Sequence, residues 1–253
     1  MSSAASHQAA SHASSTSTPA TTVPPEDKAR WVQAMFNRIA KRYDYLNDAI
    51  SFGMHRGWKR AACRALQLQP GDSVLDVCTG TGDLIQYLLP QVGPSGRVVG
   101  VDFSESMLEV ARQRFAHQSQ VVQLLQGDAL QLPLDSNAMD GAVVSFGLRN
   151  VVDVAQAIAE MTRVVRPGGW VVNLDTCPDP AFPLFGWYFR HVMPCFGQLF
   201  GRDRQAYQYL FESTQTFLSP EALCQSFEQA GLRAVSARRL ALGSVALIAG
   251  QKI

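Results

Sequence analysis

The stretch "SVLDVCTGTGDL", Ser73–Leu84, decides the fold. It opens as a short apolar run suited to a buried strand, passes through a glycine-rich turn, and leads at Asp83 into the helical "DLIQYLLP". Such a turn aims backbone N–H groups at a ligand and lets it approach closely. The alternation continues downstream. "GRVVGVD" precedes the helix "SESMLEVARQRFA", with Ser104 as its N-cap, and "VVQLLQGD" and "MDGAVVSF" follow. A helix from about Asp153 to Val165 then ends at "RPGG", which turns into "WVVNLD". Strands alternating with helices of this length predict βαβ units and a mostly parallel α/β sheet.

At the C-terminus "SPEALCQSFEQAGL" reads as a helix with Ser219 as cap and Pro220 at its first position. "AVSARRLALGSVALIAGQK" reads as two strands joined at Leu242-Gly243, an antiparallel edge. Before the glycine turn, residues 26–68 have helical spacing, with Trp31, Met35 and Ile39 four apart, and are expected to form a helical lid. Residues 71–176 are the expected ligand-binding core of a single domain over 26–253, and 177–215 an inserted aromatic cap. That cap is broken by Pro183, Gly186, Pro194 and Gly197 and carries Arg190 and His191, which argues against a membrane span.

Composition narrows the class further. At 253 residues, 47% hydrophobic and 17% charged, the chain can bury a full core. A net charge of +1 gives no general case for nucleic-acid binding. The five cysteines are scattered, without a CxxC pair, as expected for reduced thiols in a cytoplasmic protein with no metal site. Residues 1–25 are rich in Ser, Thr, Ala and Pro without an apolar core, which predicts a disordered tail; His7 and His12 within it are too isolated to suggest a metal site.

The glycine turn does not suit a dinucleotide. The third small residue of GxGxxG is replaced by Ile85, and Asp83 sits where a pyrophosphate would come near. An adenosine ligand without phosphates fits better, and S-adenosylmethionine, whose sulfonium and amino group are positive, is one. Asp76, Asp102 and Asp128 fall at three successive strand ends, a more specific pattern than single capping acids. Asp102 is placed to accept ribose hydroxyls, and Asp128 with the Ala129 backbone to meet the adenine. Gly80 and Gly82 form the close-approach turn. Asp83 either faces the ligand's amino group or simply favours a helix N-terminus.

"MFNRIAKRYDYLNDAISFGMHRGWKR", "DVCTGTGDL", "VDFSESML", "SFGLRNV" and "RVVRPGG" resemble the ubiquinone/menaquinone-biosynthesis C-methyltransferases, the UbiE/MenG family, from about Val32 to the C-terminus. The segment "YFRHVMPCFGQLFGRDRQAYQYLFEST" is more similar to its menaquinone branch. The resemblance implies a class I S-adenosylmethionine-dependent fold, Rossmann-like, with seven strands and an antiparallel C-terminal strand. It implies methylation of a ring carbon of a prenylated quinol, demethylmenaquinol first and a ubiquinone- or phylloquinone-branch quinol as alternatives. Carried over by position, cofactor contacts fall on Thr81, Asp102, Asp128, Ala129 and Ser145. Two places depart from the family pattern: Cys78-Thr79 replaces a glycine or alanine pair, and "NLDTCPDP" replaces a strand end that usually carries a glutamate. Another small-molecule methyltransferase, or a non-catalytic S-adenosylmethionine-binding subunit of a quinone-synthesis complex, is the competing reading.

A quinol carbon becomes nucleophilic when its neighbouring hydroxyl ionises. For a phenol of pKa about 10 that costs roughly 4 kcal/mol at pH 7, which the site must offset. Arg149 and Asn150, delivered together where the strand "GAVVSF" ends, are expected to hold the quinolate or a water. Proton acceptance falls to His55, Asp44 or Tyr43 of the lid, or to bulk water through Arg149. Each has a plainer reading as a surface ion pair, a helix cap or a packing group. The expected setting is cytoplasmic, with peripheral contact at the inner membrane face where such quinols reside, and a homodimer.

Overall fold

The computed structural model describes residues 25–178, 209 and 212–253. The expected tail up to Pro24 and the aromatic run Phe182–Phe200 lie outside the described residues. Three helices open the described chain: α1 (Pro25–Ile39), α2 (Tyr43–Ser51) and α3 (His55–Ala65). The single helical pattern of the sequence is broken at Phe52 and Gly53, which adopt φ +49° and +73° and end α2 in the left-handed region.

The strands and helices then alternate as β1 (Ser73–Val77), α4 (Ile85–Val92), β2 (Arg97–Asp102), α5 (Glu105–Arg114), β3 (Val122–Gln126), β4 (Met139–Ser145), α6 (Val154–Val164) and β5 (Val165–Thr176). Helix α7 (Pro220–Gln229), β6 (Leu232–Leu240) and β7 (Val245–Lys252) complete the described chain. Caps fix where the helices start. Ser104 accepts from the Met107 N–H, Asp153 from Gln156, and Ser219 from Ala222 ahead of Pro220.

One seven-stranded sheet has the order β3-β2-β1-β4-β5-β7-β6, parallel from β3 to β5, with β7 antiparallel to both its neighbours. The expected class I α/β architecture is therefore present. Edge strand β6 is blunted by Arg233, Arg238 and Arg239 among its exposed residues. "RPGG" does not form a separate turn. It lies within β5 as an irregularity, the partners of β4 jumping from Val165 to Trp170.

The core has two sides. Leu223 and Phe227 of α7 and Ala157, Ile158 and Met161 of α6 pack with Leu75, Val144 and Ile248 on one face of the sheet. Ala62, Cys63 and Leu66 pack with Ile85 and Leu88 of α4 against Val74, Val143 and Val172 on the other. Each such aliphatic or aromatic side chain stabilises by roughly 1.5–3 kcal/mol. Helix α3 is thus built into the sheet's covering layer, whereas α1 packs on α5 beyond the carboxyl ends of the strands. Adjacent parallel strands β1 and β4 form the switch point from which the following helices leave to opposite faces.

Candidate active site

The cavity opens at that switch point, where α/β folds place ligands. It encloses about 1130 Å³ of space, open mouth included, and is walled by the loops after β1, β2, β3 and β4 and by the N-terminal helices. All nine expected cofactor residues except Gly82 line it: Asp76, Gly80, Thr81, Asp83, Asp102, Asp128, Ala129 and Ser145.

The loop after β1 is held tightly. Gly82 has φ +76°, and a Cβ there would meet the Phe115 ring at 2.6 Å, so its role is to close the loop onto α5. Cys78 takes φ +54°, a conformation a glycine adopts more cheaply. Gly147 faces it: a Cβ on Gly147 would lie 2.5 Å from the Cys78 Cβ. Cys78 is therefore accommodated by the missing side chain at Gly147.

The acids divide by environment. Burial pushes the Asp76 carboxyl up to about 7, against the Thr79 hydroxyl that donates to it at 2.5 Å and the Lys59 charge. Burial likewise raises Asp102 to about 6, opposed by N–H donors from Ser104 at 2.9 Å and Gly80 at 2.8 Å. Burial would raise Asp83 too, but His55 and Lys59 outweigh it and hold Asp83 well below the usual carboxylate range. Asp128 accepts from the Leu130 N–H at 2.9 Å. The Ser145 hydroxyl is buried with no partner among the described residues.

Of the five residues expected to carry the chemistry, Asn150 and Tyr43 line the cavity, with Phe36 and Phe146. Asn150 donates to the Phe146 carbonyl at 3.3 Å and accepts from the Tyr209 hydroxyl at 3.1 Å. Arg149 sits one layer behind. Its Nη1 donates to Asp175 Oδ1 at 2.6 Å and to the Phe146 carbonyl at 2.8 Å. Burial works against its charge, but Asp175 outweighs it, so the guanidinium is held charged.

His55 and Asp44 are not among the lining residues. His55 Nδ1 bonds the Ser51 hydroxyl at 2.7 Å, and its Nε2 lies 3.6 Å from Asp83. Asp44 accepts from the Thr81 hydroxyl at 2.5 Å and pairs with Arg114, tying α2 to the glycine loop and to α5. Their polar atoms join the N-terminal helices to one another, to the glycine loop and to α5.

Sequence reading missed three residues. Asp175 is the acid at the end of β5. Lys59 is buried on α3 and lines the cavity; only the helical phase of "HRGWKR" hints at it. Tyr209 stacks on Trp31 at 5.1 Å, and burial pushes its phenol up to about 12 despite the Arg149 charge.

The pattern of the ubiE/COQ5 methyltransferase family matches residues 23–252. The demethylmenaquinone methyltransferase of Desulfitobacterium hafniense is 41% identical over 232 residues, 90% of this chain and 92% of the relative. That of Staphylococcus aureus is 42% identical over 225 residues, 87% and 92% of the two chains. In fold, a SAM-dependent methyltransferase from Aquifex aeolicus superposes with a TM-score of 0.59 at 21% identity, covering 77% of this chain and 89% of that one. With a family match spanning nearly the whole described fold, this chain belongs to the ubiE/COQ5 methyltransferase family.

Proposed function

We propose that the protein methylates a ring carbon of demethylmenaquinol, with S-adenosylmethionine as methyl donor. One observation carries the reading: a cavity at the switch point joins three strand-end acids to an aromatic mouth of Phe36, Tyr43 and Phe146. Relatives of matching length that are demethylmenaquinone methyltransferases supply the substrate.

The residues present fit the donor. Asp102, organised by two backbone N–H groups, suits a ribose diol, and Asp128 with Ala129 suits an adenine edge. The Ser145 hydroxyl, without a partner among the described residues, is a buried polar group that a ligand would satisfy. When bound, S-adenosylmethionine supplies an electrophilic methyl group on a positive sulfur.

The chain's own work is to make the quinol carbon nucleophilic and to align it. Asn150 offers its amide to a quinol oxygen at the cavity wall. Arg149 acts from behind: its guanidinium, fixed on the Phe146 carbonyl that Asn150 also holds, places a positive charge behind the wall and so favours ionisation of a quinol hydroxyl bound there. Tyr43 relays the released proton toward the mouth. The aromatic walls exclude water and fix the ring against the donor, which supplies much of the rate.

No helix among the described residues is long and apolar enough to cross a membrane. Phe52 and Met54, 69% and 45% exposed at the corner between α2 and α3, support contact with the inner face of a bilayer that holds the quinol. Incubation with labelled S-adenosylmethionine and either demethylmenaquinol or its oxidised quinone tests the function. Label is expected on the quinol alone; equal labelling of the quinone, or none on either, overturns it.

A further inference from the structure

We propose that Lys59 is the anion-binding group of the cavity and holds the α-carboxylate of the donor's amino-acid moiety; this rests on the reading of the ligand as S-adenosylmethionine. The cavity wall carries four carboxylates, Asp76, Asp83, Asp102 and Asp128, and Lys59 is the one basic side chain lining it among the described residues. A ligand that bears an ammonium and a carboxylate on one carbon needs both signs of charge in one corner. Asp76, Asp83 and Lys59 supply them, since the Lys59 charge acts on both acids.

The Lys59–Asp83 pair alone does not account for a buried lysine here. Lys59 is 5% exposed and donates to Asp83 Oδ2 at 2.6 Å, which uses one of its three N–H donors among the described hydrogen bonds. Asp83 is already well supplied. Its other oxygen accepts from Gln86 at 2.6 Å and lies 3.8 Å from Arg114, and His55 approaches at 3.6 Å. Asp83 therefore keeps the Arg114 charge and the Gln86 hydrogen bond when Lys59 shares its charge with a second anion. Lys59 reaches the wall because it lies one helical turn after His55 on α3, the helix anchored in the sheet's covering layer by Ala62 and Cys63. The position is thus rigid, as a specificity contact requires.

The test is calorimetric binding of two ligands: S-adenosylhomocysteine, which has the carboxylate, and 5′-methylthioadenosine, which lacks the whole amino-acid moiety. In Lys59→Met, S-adenosylhomocysteine is expected to bind at least tenfold more weakly and methylthioadenosine within twofold of the wild type. Lys59→Arg should restore most of the difference. Equal weakening of both ligands, or no change in either, overturns the assignment. Should Lys59→Met not fold, the ratio of the two affinities in Lys59→Gln reads the same quantity. Failure of the unmodified protein to bind either ligand would instead overturn the cofactor reading itself.

Discussion

Arg149 and Asp175 are joined twice: the guanidinium donates to Asp175 Oδ1 at 2.6 Å, and the Arg149 backbone N–H donates to Oδ2 at 3.3 Å. One carboxylate at the end of β5 thereby fixes both the side chain and the backbone of the turn after β4. The same guanidinium holds the carbonyl of Phe146, a residue at φ +58°, and Asn150 shares that carbonyl. Asp175 is in this way a positioning residue for the two groups that do line the cavity.

Asp175→Asn leaves a buried guanidinium without its counter-charge. The expected loss is about 3 kcal/mol of stability, on the order of 10 °C in Tm, with kcat down tenfold or more and cofactor Kd within twofold. The double variant Arg149→Met with Asp175→Leu removes the buried charges together and is expected to regain the Tm but not the turnover. Thermal melts and steady-state kinetics on the same preparations separate the two effects; recovered turnover would show that Arg149 only packs.

The link between Thr81 and Asp44 predicts coupling between the N-terminal helices and the cofactor loop. The Thr81 hydroxyl spends its proton on Asp44, so toward a ligand it is left as an acceptor. Thr81→Val and Asp44→Asn are each expected to speed hydrogen exchange in Tyr43–Ser51 and to weaken S-adenosylhomocysteine binding. Their combined effect should fall short of the sum by about 0.5–2 kcal/mol. Strict additivity in binding would mean that the contact carries no energy.

Ser145→Ala should act in opposite directions on the empty and loaded protein. The hydroxyl is buried without a partner among the described residues, a cost of about 1–3 kcal/mol, so its removal raises or leaves unchanged the Tm of the free protein. If the ligand satisfies that hydroxyl, the same change weakens cofactor binding about tenfold. A variant that melts lower and binds as well as the wild type would place Ser145 in the fold rather than the site.

The sheet was legible because its strands are continuous apolar runs and its helices begin at Ser104 and Ser219, side chains whose capping chemistry is local. The positions of Asp76, Asp102 and Asp128 were legible for the same reason: they sit at or just beyond strand ends, where register alone places them around the cleft. What escaped depends on side chains meeting across the fold. Nothing near Asp175 in the chain announces Arg149, 26 residues away, as its partner. His55 and Asp44 carry the residue types of a general base, and their contacts with Ser51, Thr81 and Arg114 arise only once α2 and α3 are folded back. "RPGG" has the composition of a turn, yet neighbouring strands absorb it as an irregularity in β5.

The buried acids give a pH dependence opposite in sign to that of a salt-bridged carboxylate. The folded-state pKa of Asp76, about 7, and of Asp102, about 6, both lie above the ordinary 3.8 of an unfolded aspartate. Between those limits the folded state binds more protons than the unfolded one, so stability of the free protein falls as pH rises from about 4 to 7. Asp76→Asn removes that cost and is expected to melt higher than the wild type at pH 7.5, by a margin that narrows as pH falls toward 4. Cofactor binding runs the other way: a ribose diol donates best to an ionised Asp102, so S-adenosylhomocysteine affinity should drop below pH 6, approaching tenfold per pH unit. Asp102→Asn is expected to bind weakly at every pH with that slope gone. Melting curves and calorimetric titrations from pH 5 to 8 check both signs; a wild-type affinity that is flat across pH 6 would mean that Asp102 does not meet the ligand as an anion.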